Sequence, residues 1–392
     1  MSAPAGPARR RPVTALLGAV LTYGCSGSPP QRVYVEELGT DTTAVEAITR
    51  TETGFEGWRV TRSPVTRMAH YRASLGPEGT VSRLEVEWST PPENPKGPGP
   101  LRWTVEVEGD SATSIRSSEN GVDTVRVAAP PGTVPTISLT PIGIWEQAVA
   151  QARDAGDDPY EFSFLSQSGR LAPNAVGHRG PDTVEVQFFG SPLLARLDER
   201  GEIEGLSGRE TTLKVEVRRA EVPMDVQALA AEYAARDARG EGFGIASPTD
   251  TVRVASGGAA FEIVYSRPAK RGREIWGGLV PWNRVWRTGA NAATQFTTDR
   301  DLRIGEAEVP AGAYTLWTTF TPDSATLIIN SQTGIWGTAY DAAHDLVRVP
   351  LETEALDAPV ERFTMGVRPL EAGGVLELSW DRTRFSVPLR VQ

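Results

Sequence analysis

SRLEVEWSTPPENPKGPGPLRWTVEVEG, residues 82–109, sets the architecture of the chain. Leu84, Val86 and Trp88 recur at every second position, and so do Trp103, Val105 and Val107. That period of two puts each trio on one face of a half-buried strand, with charged residues on the other face. The proline- and glycine-rich stretch 91–100 between them cannot continue a ladder and reads as a loop. Two strands joined by a loop predict an antiparallel sheet. The same alternation extends in both directions: RVYVEEL (32–38), EGWRVTRS (56–63), AHYRASL (69–75) and DTVRVAA (123–129), with a GPEG turn at 76–79.

The texture changes at 141–156, PIGIWEQAVAQARDAG. Proline leads, Ile144, Ala148 and Ala152 fall on one helical face, and Gly156 stands just past the end, so a helix is predicted here. Strands resume in DTVEVQFF (182–189), in SPLLARLDERGEIEGL (191–206), where DERG is a tight turn, and in TTLKVEVRR (211–219). Residues 33–224 therefore read as a curved sheet with one packed helix plugging its apolar face. Residues 225–249 read as a helical linker, in which Asp225 is placed to cap DVQALAAEYAARDA (225–238).

From residue 250 to 392 a second β-rich unit is expected. Its runs are FEIVYSRP, AATQFTTDR, AYTLWTTF, ATLIIN, LVRVPLET, VERFTMGV, GVLELSW and TRFSVPLRV. Roughly eight short strands read as a sandwich or jelly-roll-like barrel. The fold class is thus mostly β in two domains. Trp317, Trp336 and Trp380 sit at strand positions and read as core.

The N-terminus has a different logic. Arg9, Arg10 and Arg11 precede the apolar run VTALLGAVL (13–21), and Cys25, the only cysteine, follows it. Positive charge, apolar run and small residue in that order are the layout of a secretory signal. LTYGC at 21–25 resembles the lipobox of bacterial lipoproteins, departing from it at Thr22 and Tyr23. The resemblance implies a signal peptide at 1–24, a lipid on Cys25, a tether at 25–32 and a protein facing the periplasm or exterior from the cell envelope. The apolar run is too short to span a bilayer. Removing residues 1–24 takes away three arginines and no acid, so a net charge of −10 becomes −13. An acidic surface repels phosphate backbones, which argues against nucleic acid as a partner.

The densest stretch is YSRPAKRGREIWGGLVPWNRVWRTGAN, residues 265–291. It combines three tryptophans, five arginines and a lysine with glycines at 272, 277, 278 and 289. Aromatic faces, cationic forks and tight backbone are the materials of ligand sites. Arg287 leads the candidates, because a guanidinium fork suits a carboxylate, phosphate or sugar diol. Arg267 and Arg273 add charge, Thr288 and Asn291 supply neutral polar groups, and Trp286 supplies a platform. The competing reading has Arg287 paired with an acid such as Glu262 or Asp345, and TGAN as a simple turn.

This run, with VPAGAYTLW (309–317), GIWGTAYDAAHDLVRV (334–349) and the ELSWDRTRFSVPL ending, resembles DUF2911, a family of exported bacterial proteins without an established activity. The resemblance covers about 250–392 and departs at Trp282-Asn283, where tyrosine or phenylalanine followed by glycine is expected. It implies export and no particular chemistry.

Enzymatic chemistry has one thin motif. His344 and Asp345 in YDAAHD (340–345) offer an acid/base pair, with Ser266 or Thr288 as a remote nucleophile. There is no GxSxG elbow, HExxH or nucleotide loop. Asp299, Asp301 and Asp341 lack the spacing of a calcium loop, so no metal and no cofactor are expected. Three classes remain: a lipid-anchored binding or scaffold module with an Arg/Trp-lined groove for a small anionic or carbohydrate-like ligand, a hydrolase using His344, and a structural envelope protein that binds other proteins.

Overall fold

A computed structural model describes residues 30–137, 140–188 and 191–392. The stretch 1–24, read from sequence as a signal peptide, and Cys25 lie outside the described residues. Among the described residues strand dominates, in two separate sheets.

The first sheet has fifteen strands, arranged outward from Arg32–Leu38. On one side an antiparallel meander runs through Asp41–Thr51, Gly54–Thr61, Arg67–Leu75, Val81–Ser89, Leu101–Glu108 and Ser111–Ser118 to the edge strand Gly121–Ala128. On the other side Glu216–Arg219 leads back through the chain to Tyr160–Leu165, which pairs in parallel with the short strand Val134–Pro135. The loop at 91–100 and the turns at 76–79 and 198–201 fall between strands, as their composition demands.

Helix α1 (Ile142–Ala155) lies inside the curve of this sheet. Ile144, Ala148 and Ala152 are buried, and so are Glu146, Gln147 and Gln151 on the flank that sequence periodicity leaves polar. The wrapped sheet buries the helix nearly all round, so its polar residues need partners. Glu146 finds four. It accepts from Arg32 Nη2 (2.8 Å), Arg50 Nε (3.0 Å), the Tyr34 hydroxyl (2.9 Å) and the Ile203 amide (3.2 Å).

Pro141 precedes α1 and offers no side-chain cap. A strand carboxylate takes that role: Glu46 accepts from the amides of Ile142 (3.0 Å) and Gly143 (3.1 Å). Placing negative charge at a helix N-terminus satisfies orphan amides and suits the helix dipole. Arg59 then bridges Glu46 (Nη1, 2.7 Å) and Glu36 (Nη2, 2.8 Å), so the buried charges form a connected set. At the other end Gly156 adopts the left-handed conformation, φ 73°, and closes the helix on the Ala152 carbonyl.

Helix α2 (Val226–Ala238) is capped as its sequence indicates, the Asp225 carboxylate accepting from Gln227 N and Ala228 N at 3.0 Å. It packs Val226 and Ala230 over Val33, Val35, Val45 and Val60, covering the outer face of the first sheet.

The second sheet holds ten strands. The hairpin Thr249–Ser256 with Ala259–Ser266 forms one edge and leads through Thr294–Thr298, Gly312–Phe320 and Ala325–Asn330 to two long strands. These are Asp345–Leu370 and Gly373–Val391, followed by the small edge ribbon of Leu302–Ile304 and Ala307–Val309. One apolar cluster draws Phe261, Ile263, Phe296, Leu302, Val309, Val349, Phe363 and Leu389 together from strands far apart in this order, so the sheet folds over its own core. Phe363 N bonds Pro268 O (2.9 Å) and Ser256 Oγ bonds Leu370 O (3.0 Å), closing the first edge onto the long strand. The expectation of two β-rich units holds.

The sheets meet at Gly39–Asp41 and Arg271–Gly272. Thr40 N donates to Arg271 O (3.0 Å), and the Arg271 guanidinium pairs with Asp41 and lies 4.1 Å over the Phe243 ring. Gly39 has φ 65°, and a Cβ there would fall 2.2 Å from Arg271 O, so only glycine permits this approach.

Candidate functional site

Residues 265–291 leave the hairpin edge, cross the junction and touch back on the sheet where Val285–Trp286 pairs with Thr318 and Thr319. The segment's tight turns rest on left-handed residues: Arg271 (φ 49°), Asn283 (61°), Thr288 (51°) and Asn291 (59°). Such conformations strain residues with a Cβ and persist where surrounding contacts fix them.

The six expected ligand contacts separate into two groups. Arg267 is a tie within the sheet, donating to Phe363 O (3.2 Å), Asp250 Oδ2 (3.1 Å) and Thr364 Oγ1 (2.9 Å). Trp286 lies in an aromatic cluster, stacked 5.9 Å from Trp380 and edge-on to Phe363 at 5.1 Å. Thr288 is fully buried, with its Oγ1 3.2 Å from that of Thr318. These three side chains hold the sheet together.

Arg273, Arg287 and Asn291 behave differently. Among the described residues Arg273 donates only to carbonyls, those of Lys270 (3.0 Å) and Ala269 (2.6 Å). Burial, and then the nearby Arg271 charge, lower its affinity for its proton. Asn291 is exposed, with Nδ2 3.4 Å from Ser247 O and 3.5 Å from Ser266 Oγ. Arg287 is half-buried, and among the described residues its one side-chain hydrogen bond is a long one to Asn291 O, 3.5 Å from Nη1. The acids suggested as its partners are taken: Glu262 pairs with Arg253 and Asp345 with Arg348. Among the described residues Arg287 has no carboxylate partner, and burial holds its pKa below the ordinary arginine value.

A lysine from the other sheet joins this group. Lys214 sits in the turn ahead of Glu216–Arg219, itself left-handed at φ 56°, with Nζ bonded to Arg209 O (2.6 Å). Burial first, and then repulsion from Arg287, Arg273 and Arg284, hold Lys214 below the ordinary lysine value, against the pull of Glu210. Lys214, Arg273, Arg284 and Arg287 therefore share one field near the meeting of the two sheets, in which Glu210 pulls on Lys214, and Glu361 and Asp41 pull on Arg273. Lys214 and Arg284 are absent from the sequence-based candidates, because their value depends on a contact between distant parts of the chain.

Residues 247–389 match the DUF2911 family, described as a protein of unknown function. The DUF2911 match thus contains Arg273, Arg284 and Arg287, while Lys214 comes from outside it. No curated protein matches the chain. A crystal structure of a DUF1089 family protein from Pseudomonas aeruginosa is similar at 11% identity and a TM-score of 0.30, over 48% of this chain and 95% of that one. That degree of likeness is too slight to define a shared fold.

The acid/base candidate lies elsewhere in the DUF2911 match. His344 is exposed on a short helical turn, its Nδ1 3.1 Å from Asp341 Oδ2. The ring makes no hydrogen bond to a hydroxyl; Ser331 Oγ bonds instead to the His344 carbonyl (3.1 Å). Asp345, the acid expected beside His344, accepts from Tyr340 (2.6 Å), Asn330 (3.0 Å) and Arg348 (2.6 Å). Burial would raise its pKa, yet these donors bring it below the usual aspartate value. A histidine with one acid and no aligned hydroxyl lacks the constellation a nucleophilic hydrolase needs. Among the described residues no group of three or more His, Cys, Asp or Glu is placed to hold a metal.

Proposed function

We propose that this chain is an exported, lipid-anchored binding protein that holds a small anion at the junction of its two sheets. The export and anchoring rest on the N-terminal sequence and Cys25. The anion reading is carried by one observation: Arg287 is half-buried without an acid, in a field that it shares with Lys214, Arg273 and Arg284. Like charges brought together away from bulk water repel one another more strongly than exposed ones do. An anion with several acceptor oxygens removes that repulsion and fills the free donors of Arg287 and Arg273.

Calorimetric titration of the full chain with inorganic phosphate tests this reading. The expected result is saturable binding that weakens at least tenfold in Arg287→Ala and in Lys214→Gln, both retaining the circular dichroism of the wild type. Equal binding by either folded variant, or no binding by the wild type, contradicts it.

A further inference from the structure

Of the ten tryptophans Trp336 alone is exposed, at 55% of its surface, whereas Trp317 and Trp380 are fully buried. Its strand-like sequence context suggests a core residue, but it sits on the loop after Ala325–Asn330. That loop is firmly held. Trp336 forms an isolated antiparallel bridge with Ala292, Gly337 N donates to Asn291 O (3.0 Å), and Ala293 N donates to Ile335 O (3.1 Å). An indole left in water forgoes the burial that its large apolar area favours, so a fixed, exposed one is informative.

The backbone of the residue that follows Trp336 packs against Arg287. A Cβ on Gly337 would fall 2.2 Å from Arg287 Cδ and 3.0 Å from its Nη1. Glycine at 337 is what lets the guanidinium stem lie against the loop immediately beside Trp336. Asn291, whose carbonyl bonds both Gly337 N and Arg287 Nη1, ties the two together. An aromatic face, a guanidinium without an acid and an exposed carboxamide thus occupy one edge of the second sheet.

We infer that the ligand is a short acidic sugar, a uronate-bearing oligosaccharide that lays a pyranose face on Trp336 and directs its carboxylate to Arg287. This rests on the anion reading above and specifies it. A pyranose ring presents a C–H-rich face that packs on an indole, and its hydroxyls suit Asn291. A carboxylate matches the guanidinium fork, with two oxygens for two N–H groups. The chain as a whole carries a net charge of −10, which disfavours a long polyanion and favours a short ligand.

Calorimetry with tri-galacturonate, maltotriose and inorganic phosphate separates the two levels of the claim. Expected is tri-galacturonate binding at least ten times tighter than phosphate. Trp336→Ala should remove most of that advantage and leave phosphate binding as it was. Tri-galacturonate binding no tighter than phosphate, with Trp336→Ala silent, overturns the sugar and leaves the anion reading intact. Maltotriose binding as tightly as tri-galacturonate overturns the requirement for an acid. No binding of phosphate or tri-galacturonate overturns both readings.

Discussion

The Arg287 guanidinium and the Lys214 ammonium, carried by different sheets, repel each other across the junction where those sheets meet. Elsewhere the fold treats buried cations otherwise. Arg59, deep in the first sheet, bonds both Glu36 and Glu46, and Arg271 at the same junction pairs with Asp41. A chain with 50 acidic residues has carboxylates to spare, yet among the described residues Arg287 and Arg273 form no direct ion pair. Leaving donors free in this way is costly to the empty protein and useful to one that binds an anion.

Removing a charge from the junction should therefore stabilise the empty protein. In Lys214→Met the midpoint of thermal unfolding is expected to rise at neutral pH. The sign follows from linkage: a lysine lowered in the folded state binds fewer protons there than when unfolded. Stability from this group thus rises with pH between the lowered value and the ordinary one near ~10.4, and the gain from Lys214→Met should shrink across that window. Differential scanning calorimetry at a series of pH values reads both effects, and a variant less stable than wild type at neutral pH contradicts them.

Glu146 should be among the most sensitive positions in the first sheet. It is 4% exposed and bonds two arginines, a tyrosine and a backbone amide. Glu146→Ala leaves Arg32 and Arg50 without their buried partner, a class of change that costs about 3–5 kcal/mol. Urea unfolding followed by circular dichroism should show the loss. A cost below ~1 kcal/mol means that water or a rearranged side chain replaces the carboxylate.

Trp286 and Arg287 are adjacent and should respond in opposite ways. Trp286→Ala empties part of the cluster with Phe320, Phe363 and Trp380 and should destabilise the second sheet by about 3 kcal/mol. Arg287→Ala removes a cation from a repulsive site and should leave stability nearly unchanged or slightly improved. Denaturant midpoints of the two variants, side by side, test whether the first is structural and the second is not.

Tyr340 gives a spectroscopic handle on the loop that carries Trp336. Burial first, then the hydrogen bond to Asp345, push its pKa up to about 12. A tyrosine raised in the folded state contributes stability that is complete below the unfolded value near ~10 and is lost as pH climbs through the folded one. Ultraviolet titration of wild type against Tyr340→Phe should show one phenol ionising near pH 12 that is missing in the variant. Its ionisation near pH 10 means that the Asp345 contact is absent in solution.

Period-two patterning and turn chemistry carried much of the architecture. Residues 82–109 form two strands about a proline-rich loop, and α1 begins after Pro141 and ends at Gly156. Where LVRVPLET and VERFTMGV read as two strands, the chain makes one, Asp345–Leu370, whose register breaks at Ala355, Val360 and Thr364. GVLELSW and TRFSVPLRV likewise merge into Gly373–Val391, with left-handed Asp381 at the joint. The sequence marks the irregularities correctly, but a bulge and a turn share a local signature. The short strands at 302–304 and 307–309 give too few residues for periodicity to register.

The site was legible only in part. Arg273, Arg287 and Asn291 stand out because residue chemistry is readable along the chain. Trp286 and Trp336 look alike in sequence, and only packing separates the partly buried one from the exposed one. Lys214 had no local signal whatever: it joins the site through a contact between two sheets, which no periodicity encodes.

The anion site at the sheet junction is tested most directly at Lys214 itself. The chain has three lysines, Lys96, Lys214 and Lys270, so side-chain NMR resolves each through a pH titration. Lys214 is expected to titrate below the ordinary lysine value, to move upward when inorganic phosphate is added, and to lose its response to phosphate in Arg287→Ala. A Lys214 that titrates at the ordinary value and ignores phosphate contradicts the anion site.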